Sequence, residues 1–328
     1  MEERPHNLGL SLAAMIAMAC MTAASCGGGA SGLGLAPTPP LGTSGLMAFV
    51  ALDGTIRHLY TMRVDAAGVG SAPTRLTTDS QDETYPSWSP DGAHLAYQGD
   101  LDGSAVYVIS ADGTGEQRLS PTPGMDVTPS WSPDGTQIIY ARLYSAPQPN
   151  QPPMTDIRII NADGTGDHSI LANTLFSVEP RWSASNEIVF MSLMSGANLE
   201  VFEMNSDGTN LRQLTTLATN ADPVWSPDGT HISFGSDREG GGKLNVFLMN
   251  ADGSNQTQLT HFDVPDEAGD TSWSSNGKKI AFEYDISGMQ QSSPTAFAEV
   301  WTINSDGTDP ISTGVACSDA GCAPRWQP

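Results

Sequence analysis

Acidic residues recur shortly before a repeated tryptophan, and their spacing could bring them to one place. They are Glu83, Asp126, Glu179, Asp222 and Asp270. If the segments that carry them line a common channel, the carboxylates crowd one mouth of it, where like charges repel unless a cation or a basic group compensates. This pattern predicts a site for a divalent cation, calcium first, or for a basic segment of a partner protein. The alternative is that they are solvated loop acids.

Two cysteines near the end of the chain, Cys317 and Cys322, are separated by four residues in a predicted loop. In an oxidising compartment we expect them to form a short disulfide. A metal site is the less favoured alternative, because two thiols without a nearby histidine or third cysteine do not complete a tetrahedral zinc shell.

Motifs for catalysis are absent from the sequence. It contains no GxSxG, HExxH, phosphate-binding loop or dinucleotide-binding glycine pattern. His94 and His231 occupy matching places after a repeated turn, whereas His58, His168 and His261 share no motif. We therefore predict a protein that is not an enzyme. A channel-mouth active site assembled from several repeats stays open, because spacing along the sequence cannot reveal one.

The elements that would position these residues are six copies of one repeat. Each copy begins with the phrase PSWSPDG or a variant of it. The tryptophans of these phrases are 43, 51, 43, 48 and 53 residues apart: Trp88, Trp131, Trp182, Trp225, Trp273 and Trp326. Each copy continues with an apolar run ending in an aromatic residue, a second run with an Asp-Gly turn, and a short polar run. Four short strands per repeat predict an all-β fold, a six-bladed β-propeller of four-stranded antiparallel blades.

The two ends of the repeat region complete each other. Trp326 begins a repeat without a continuation, whereas residues 46–78 lack a beginning. Joining them gives one composite blade that closes the ring and leaves no exposed sheet edge. We predict that the propeller spans residues 46–328. The aromatic residues that recur in every repeat are expected to pack between blades, and the aspartates of the Ser-Pro-Asp-Gly and Asn-Ala-Asp-Gly turns to form those turns.

The N-terminal segment differs in character from the repeats. Residues 8–25 are nearly uncharged and end in small residues before Cys26 and a glycine-rich run. This resembles a bacterial lipoprotein signal, which implies a signal peptide over 1–25, lipidation of Cys26 and a flexible tether over 26–45. A plain secretory signal and a membrane anchor are the alternatives. We expect an exported protein, periplasmic or associated with the outer membrane.

Composition excludes several partner classes. The 328 residues include 14 Lys and Arg against 37 Asp and Glu, a formal net charge of −23. Without a basic cluster to neutralise phosphates, nucleic acid binding is excluded, and contact with a membrane is expected only through a lipid anchor. The few basic residues also disfavour acidic sugars as substrates.

The repeated phrases PxWSPDG and VFxMNADGSN resemble the WD40-like repeats of the TolB family, over residues 46–328. TolB itself has an α/β domain before its propeller, and only the tether occupies that place here. The resemblance implies a six-bladed envelope propeller that binds other proteins. Strand order places the unequal loops (residues 143–154, 236–243 and 284–297) on one face of the disc. We expect a monomer that binds an envelope protein, such as a lipoprotein, through this face and the acidic channel mouth. The alternative is a glycan- or small-ligand-binding protein, or a lyase, acting at the channel.

Overall fold

The computed structural model describes residues 45–328, except 101–102, 122–123, 147–150, 241–242, 263–266, 286–297 and 318–321. The predicted signal peptide, Cys26 and the tether up to residue 44 lie outside the described residues. Among the described residues, no helix has the length and apolar character needed to cross a membrane. The described secondary structure is made of 24 β-strands in six four-stranded antiparallel sheets.

Each sheet is one blade, named here I to VI in chain order, with its innermost strand given first. Blade I contains β24 (Arg325–Trp326), β1 (Gly45–Asp53), β2 (Ile56–Val64) and β3 (Thr74–Arg75). Blade II contains β4 (Glu83–Trp88), β5 (His94–Gly99), β6 (Ala105–Ser110) and β7 (Gln117–Arg118). Blade III contains β8 (Met125–Trp131), β9 (Gln137–Leu143), β10 (Met154–Asn161) and β11 (His168–Leu175).

The remaining blades follow the same order. Blade IV contains β12 (Val178–Trp182), β13 (Glu187–Ser192), β14 (Glu200–Asn205) and β15 (Arg212–Gln213). Blade V contains β16 (Asn220–Trp225), β17 (His231–Ser236), β18 (Asn245–Asn250) and β19 (Thr257–Gln258). Blade VI contains β20 (Glu267–Trp273), β21 (Lys279–Asp285), β22 (Ala298–Asn304) and β23 (Ile311–Cys317). The predicted six-bladed propeller is confirmed.

The ring closes through the composite blade I, as the sequence predicted. The C-terminal strand β24 pairs with the N-terminal strand β1, so that Met47 lies opposite Trp326 and Ala48 opposite Arg325. The amide of Val50 also donates to the carbonyl oxygen of Cys322 at 2.8 Å. The two ends of the repeat region are thus joined by backbone hydrogen bonds.

The core lies between the blades. The aromatic residue of each second strand is at most 1% exposed: Phe49, Tyr97, Tyr140, Phe190, Phe234 and Phe282. The tryptophans pack against the preceding blade, as Trp88 does with Val50 and Leu59 of blade I. Repetition of these residues in the sequence therefore reflects repetition of one interblade contact.

The short turns share one face of the disc. The amide of Ala111, in the second turn of blade II, donates to the carbonyl oxygen of Ala93 in the first turn, and Ala251 donates to Thr230 in blade V. We call this the turn face and the opposite one, with the unequal loops, the loop face. Each turn aspartate accepts hydrogen bonds within its own turn: Asp91, Asp112, Asp134, Asp163, Asp207, Asp228, Asp252 and Asp306. Their role in forming the turns follows from these contacts.

Candidate functional site

The six innermost strands share a backbone irregularity three residues before the tryptophan. The residue there has a left-handed φ between 39° and 56° in every blade, and we call the six the central ring: Tyr85, Thr128, Glu179, Asp222, Asp270 and Ala323. In blades II to VI the strand pairing shifts register at the same place. Such a bulge changes the direction of a side chain and is uncommon for residues other than glycine. Its repetition indicates that it belongs to the architecture of the channel.

One half of the central ring is acidic and the other half is not. Glu179, Asp222 and Asp270 come from the adjacent blades IV, V and VI. The backbone N–H of Asp270 donates to Asp222 Oδ2 at 3.1 Å, so the inner strand of blade VI contacts the carboxylate of blade V. Burial raises the pKa of Tyr85 in blade II, and the charges of Glu179, Asp270, Asp222 and Glu283 raise it further. The structure therefore brings three of the predicted site acids together.

Burial and mutual repulsion keep this group from being fully ionised. Burial, followed by the charges of Asp222 and Asp270, raises the pKa of Glu179 well above its usual value. Burial and the charge of Asp270 raise the pKa of Asp222 to about 6. A protonated Glu179 donates a hydrogen bond to the Asp222 carboxylate, which is the arrangement expected of two acids forced together in a dry site.

Two buried arginines stand beside the acids. Arg325 of blade I donates from Nη2 to Asp270 Oδ1 at 2.9 Å. Arg181 of blade IV donates to the carbonyl oxygen of Pro180 at 3.2 Å, and burial lowers its pKa to about 10, so it stays charged at neutral pH. Two buried guanidiniums therefore lie near the three acids and offset part of their charge. No sequence pattern had singled out these arginines, although both precede a repeated tryptophan in the phrase PRW.

The other two predicted site acids, Glu83 and Asp126, lie apart from the central ring. Asp126 forms an ion pair with Arg142 of its own blade, at 2.6 Å from Oδ1 to Nε. Glu83 accepts from the amide of Leu59 at 2.9 Å and from the Thr77 hydroxyl, both in blade I. The reason is register, because these acids stand five residues before their tryptophan and the ring acids three. The bulge between the two positions sends their side chains to different places.

The cavity that adjoins the ring is small. It lies between blades III and IV, is lined by Thr128, Phe176, Glu179 and Met191 among others, and has room for about one water molecule. A sugar or a drug-sized ligand would not fit in it without a movement of the blades.

The loop face carries exposed acids and exposed apolar side chains. Met125 begins β8, Tyr144 follows β9 and Leu217 lies between β15 and β16, and they are 37%, 42% and 66% exposed. Exposed acids of the same face are Asp53, Asp79, Asp100 and Glu239. Of the predicted binding loops, residues 147–150, 241–242 and 286–297 lie outside the described residues.

Cys317 and Cys322 are joined through their sulfur atoms, with Cα atoms 5.6 Å apart. The bridge connects the end of β23 to the segment that leads into β24. The amide of Cys322 also donates to Glu283 Oε2 at 2.6 Å. The bridge therefore lies next to the strand pairing that closes the ring.

Residues 26–151 and 151–297 match the family described as the TolB beta propeller domain. The chain belongs to this family. TolB from Acinetobacter baumannii has 18% sequence identity and a TM-score of 0.67, over 87% of this chain and 67% of that one. A putative TolB from Agrobacterium tumefaciens has 17% identity and a TM-score of 0.63, over 88% and 100%.

The fold of this chain is also similar to that of an enzyme. An oligogalacturonate lyase in complex with manganese has 17% identity and a TM-score of 0.56, over 81% of this chain and 73% of that one. Identities this low show a shared fold alone. The family predicted from the repeated phrases is confirmed, but one fold supports both binding and catalysis, so function has to be argued from the site.

Proposed function

We propose that this chain is a non-catalytic protein-binding propeller of the cell envelope, and that its loop face contacts the partner. The observation that carries the proposal is the contrast between the loop face and the central ring. The loop face presents apolar side chains at Met125, Tyr144 and Leu217 together with exposed acids, whereas Asp270 of the ring is paired with the buried Arg325. Apolar contacts surrounded by charge are typical of a protein interface.

The acidic face and the net charge of −23 favour a partner with a basic surface, because complementary potentials speed association and reject wrong partners. A lipoprotein or another envelope protein fits the proposed location, and a monomeric state stays a prediction. Export is supported by family membership and by the apolar segment of residues 8–25 before Cys26.

Calcium at the channel mouth remains a prediction, now restricted to Glu179, Asp222 and Asp270. Arg325 already occupies one oxygen of Asp270, and an arginine that faces the acids opposes the entry of a second cation. Calorimetric titration with calcium tests this part separately. Heat at millimolar calcium that disappears in Asp270→Asn supports the site, and the absence of heat removes it.

A second candidate, a glycan- or small-ligand-binding protein or a lyase, is favoured by one observation. Glu179 and Asp222 are neighbouring carboxyl groups whose pKa values are both raised, as in acid and base pairs of enzymes. The cavity that Glu179 lines among the described residues has room for about one water molecule, which is too small for a sugar and favours the protein-binding role.

The test compares the two faces with matched substitutions. The full chain and the variants Leu217→Glu and Met125→Glu are used to capture partners from envelope extract, with Leu211→Glu as the control, because Leu211 is 44% exposed on the turn face. We expect the two loop-face variants to reduce capture of the specific partner at least tenfold, since a buried charge replaces an apolar contact. Equal capture by the loop-face variants, or loss confined to Leu211→Glu, overturns the proposal.

A further inference from the structure

A separate group of polar side chains lies in the cleft between blades I and II, away from the central ring. His58 belongs to β2 of blade I, Glu83 begins β4 of blade II, and Asp79 lies in the loop between the blades. One possible ligand atom from each residue lies within 4.8 Å of the others. His58 and Glu83 are 2% and 0% exposed, whereas Asp79 is exposed, so the group reaches solvent on the loop face.

Both buried members of the group have one polar atom without a partner. Among the residues that the structure describes, neither His58 Nδ1 nor Glu83 Oε1 forms a hydrogen bond. His58 Nδ1 faces the Glu83 carboxylate at 3.8 Å from Oε2, which is too far for a hydrogen bond. A buried polar atom without a partner costs about 1–3 kcal/mol. Two such atoms on side chains that lie against each other indicate a ligand that both residues can bind.

The charges around the cleft favour a cation. Arg57 is paired with Asp82 and Arg75 with Asp53. Three further carboxylates have no arginine partner in the described part of the chain: Asp79, Glu83 and Glu116. A cation bound between these carboxylates would offset the repulsion among them.

We propose that His58 Nδ1, Asp79 and Glu83 bind one divalent transition-metal ion, zinc in the first instance, with a further position open to solvent beside Asp79. One imidazole nitrogen with two carboxylates suits zinc better than calcium, which takes oxygen ligands. Zinc at its usual ligand distances would bring the three atoms to about 3.5 Å from one another. Asp79 is exposed, and its carboxylate would exchange the side-chain hydrogen bond from Gln81 Nε2, at 3.1 Å, for the metal.

Arg75 determines which proton has to move when the metal binds. Its Nη2 lies 2.8 Å from His58 Nε2, and because a guanidinium only donates, Nε2 accepts and the ring proton is on Nδ1. Metal binding at Nδ1 shifts this proton through solvent to Nε2, so the number of protons on the ring is unchanged. Arg75 then gives up this one hydrogen bond and keeps the Asp53 carboxylate and the carbonyl oxygen of Thr77.

The test titrates Zn²⁺ alone into the metal-free full chain and follows the heat of binding, with Co²⁺ absorption as the spectroscopic readout of the ligand set. We expect one zinc ion per chain, at least tenfold weaker binding in Asp79→Asn, and no binding in His58→Gln at the same concentrations. Asp79 is exposed, so its substitution tests the site without disturbing the core. Glu239→Gln and His168→Gln, which change an exposed acid and an exposed histidine elsewhere, should bind zinc as the wild type does.

Several results would overturn the proposal. They are an absence of zinc binding, wild-type affinity in Asp79→Asn, or a Co²⁺ spectrum that is the same in Asp79→Asn and the wild type. If His58→Gln fails to fold, Asp79→Asn and the spectrum decide the question. Leu217→Glu, which tests partner binding, should leave zinc binding unchanged, so this inference and the proposed function can fail independently.

Discussion

The junction between blades I and II and the junction between blades IV and V are built on the same skeleton. In each, a threonine hydroxyl accepts from a backbone amide of the blade's third strand, Thr77 from Leu59 at 3.1 Å and Thr215 from Val201 at 2.8 Å. In each, the same hydroxyl donates to one buried carboxylate, Glu83 in the first and Glu200 in the second.

The two junctions differ in the side chains that surround the buried carboxylate. Asn220, which occupies the place of Glu83 relative to its tryptophan, donates from Nδ2 to Glu200 at 2.9 Å and accepts from Arg238 at 2.8 Å. At the first junction, His58 stands in the place of Glu200, and its Nδ1 and Glu83 Oε1 have no partner among the described residues. Blade stacking depends on the backbone and the apolar core. The polar positions of a junction are therefore free to become either a closed network or a binding site.

The substitution Asn220→Asp should lower the stability of the protein more than the others discussed below, because it places a second carboxylate against Glu200. We expect a loss of about 3 kcal/mol in the free energy of unfolding at neutral pH. Burial already raises the pKa of Glu200. The contribution of Glu200 to the free energy of unfolding is therefore fully present below its unfolded pKa of about 4.3. This contribution is lost as pH rises through the pKa of Glu200 in the folded protein. A neighbouring acid raises that value further.

Urea unfolding at pH 5 and pH 8 checks this expectation. The loss in Asn220→Asp should be smaller at pH 5 than at pH 8, and Gln117→Glu, an exposed site, should change stability little at either pH. An equal loss at both values would show that the Glu200 carboxylate is not what the new acid disturbs.

Replacing the threonines tests the part that the junctions share. Thr77→Val and Thr215→Val keep the shape of the side chain but remove the hydroxyl that serves an amide and a carboxylate. Each should lower the free energy of unfolding by about 1–2 kcal/mol, measured by urea unfolding in metal-free buffer. A negligible loss in one of the two variants would mean that the junctions are not built alike.

The smallest change in stability is expected at Glu83, in the junction between blades I and II. In metal-free buffer, Glu83→Gln should leave the free energy of unfolding within about 1 kcal/mol of the wild type, because the amide oxygen still accepts from Leu59 and Thr77 and a buried charge is removed. Glu200→Gln should lose more in the same unfolding measurement, because Glu200 Oε2 accepts from the side chains of both Thr215 and Asn220. The opposite ranking contradicts the view that Glu83 is the less satisfied of the two.

The sequence by itself determined the repeating parts of this protein. The six tryptophan phrases, the turn residues and the incomplete repeats at the two ends predicted the blades and the closure of β24 onto β1, because a contact repeated in every blade leaves a repeated residue. The spacing also separates the two groups of acids, because Glu83 lies five residues before its tryptophan and Glu179 lies three residues before its own.

Only the tertiary structure decided which residues meet across the ring and in the clefts. The bulge in each inner strand directs Glu179, Asp222 and Asp270 to one side of the channel. Closure of the ring then brings Arg325, more than fifty residues along the chain, onto Asp270. His58 and Glu83 meet because neighbouring sheets stack face to face. Contacts of this kind depend on strand register and on the closure of the disc, which no local pattern encodes.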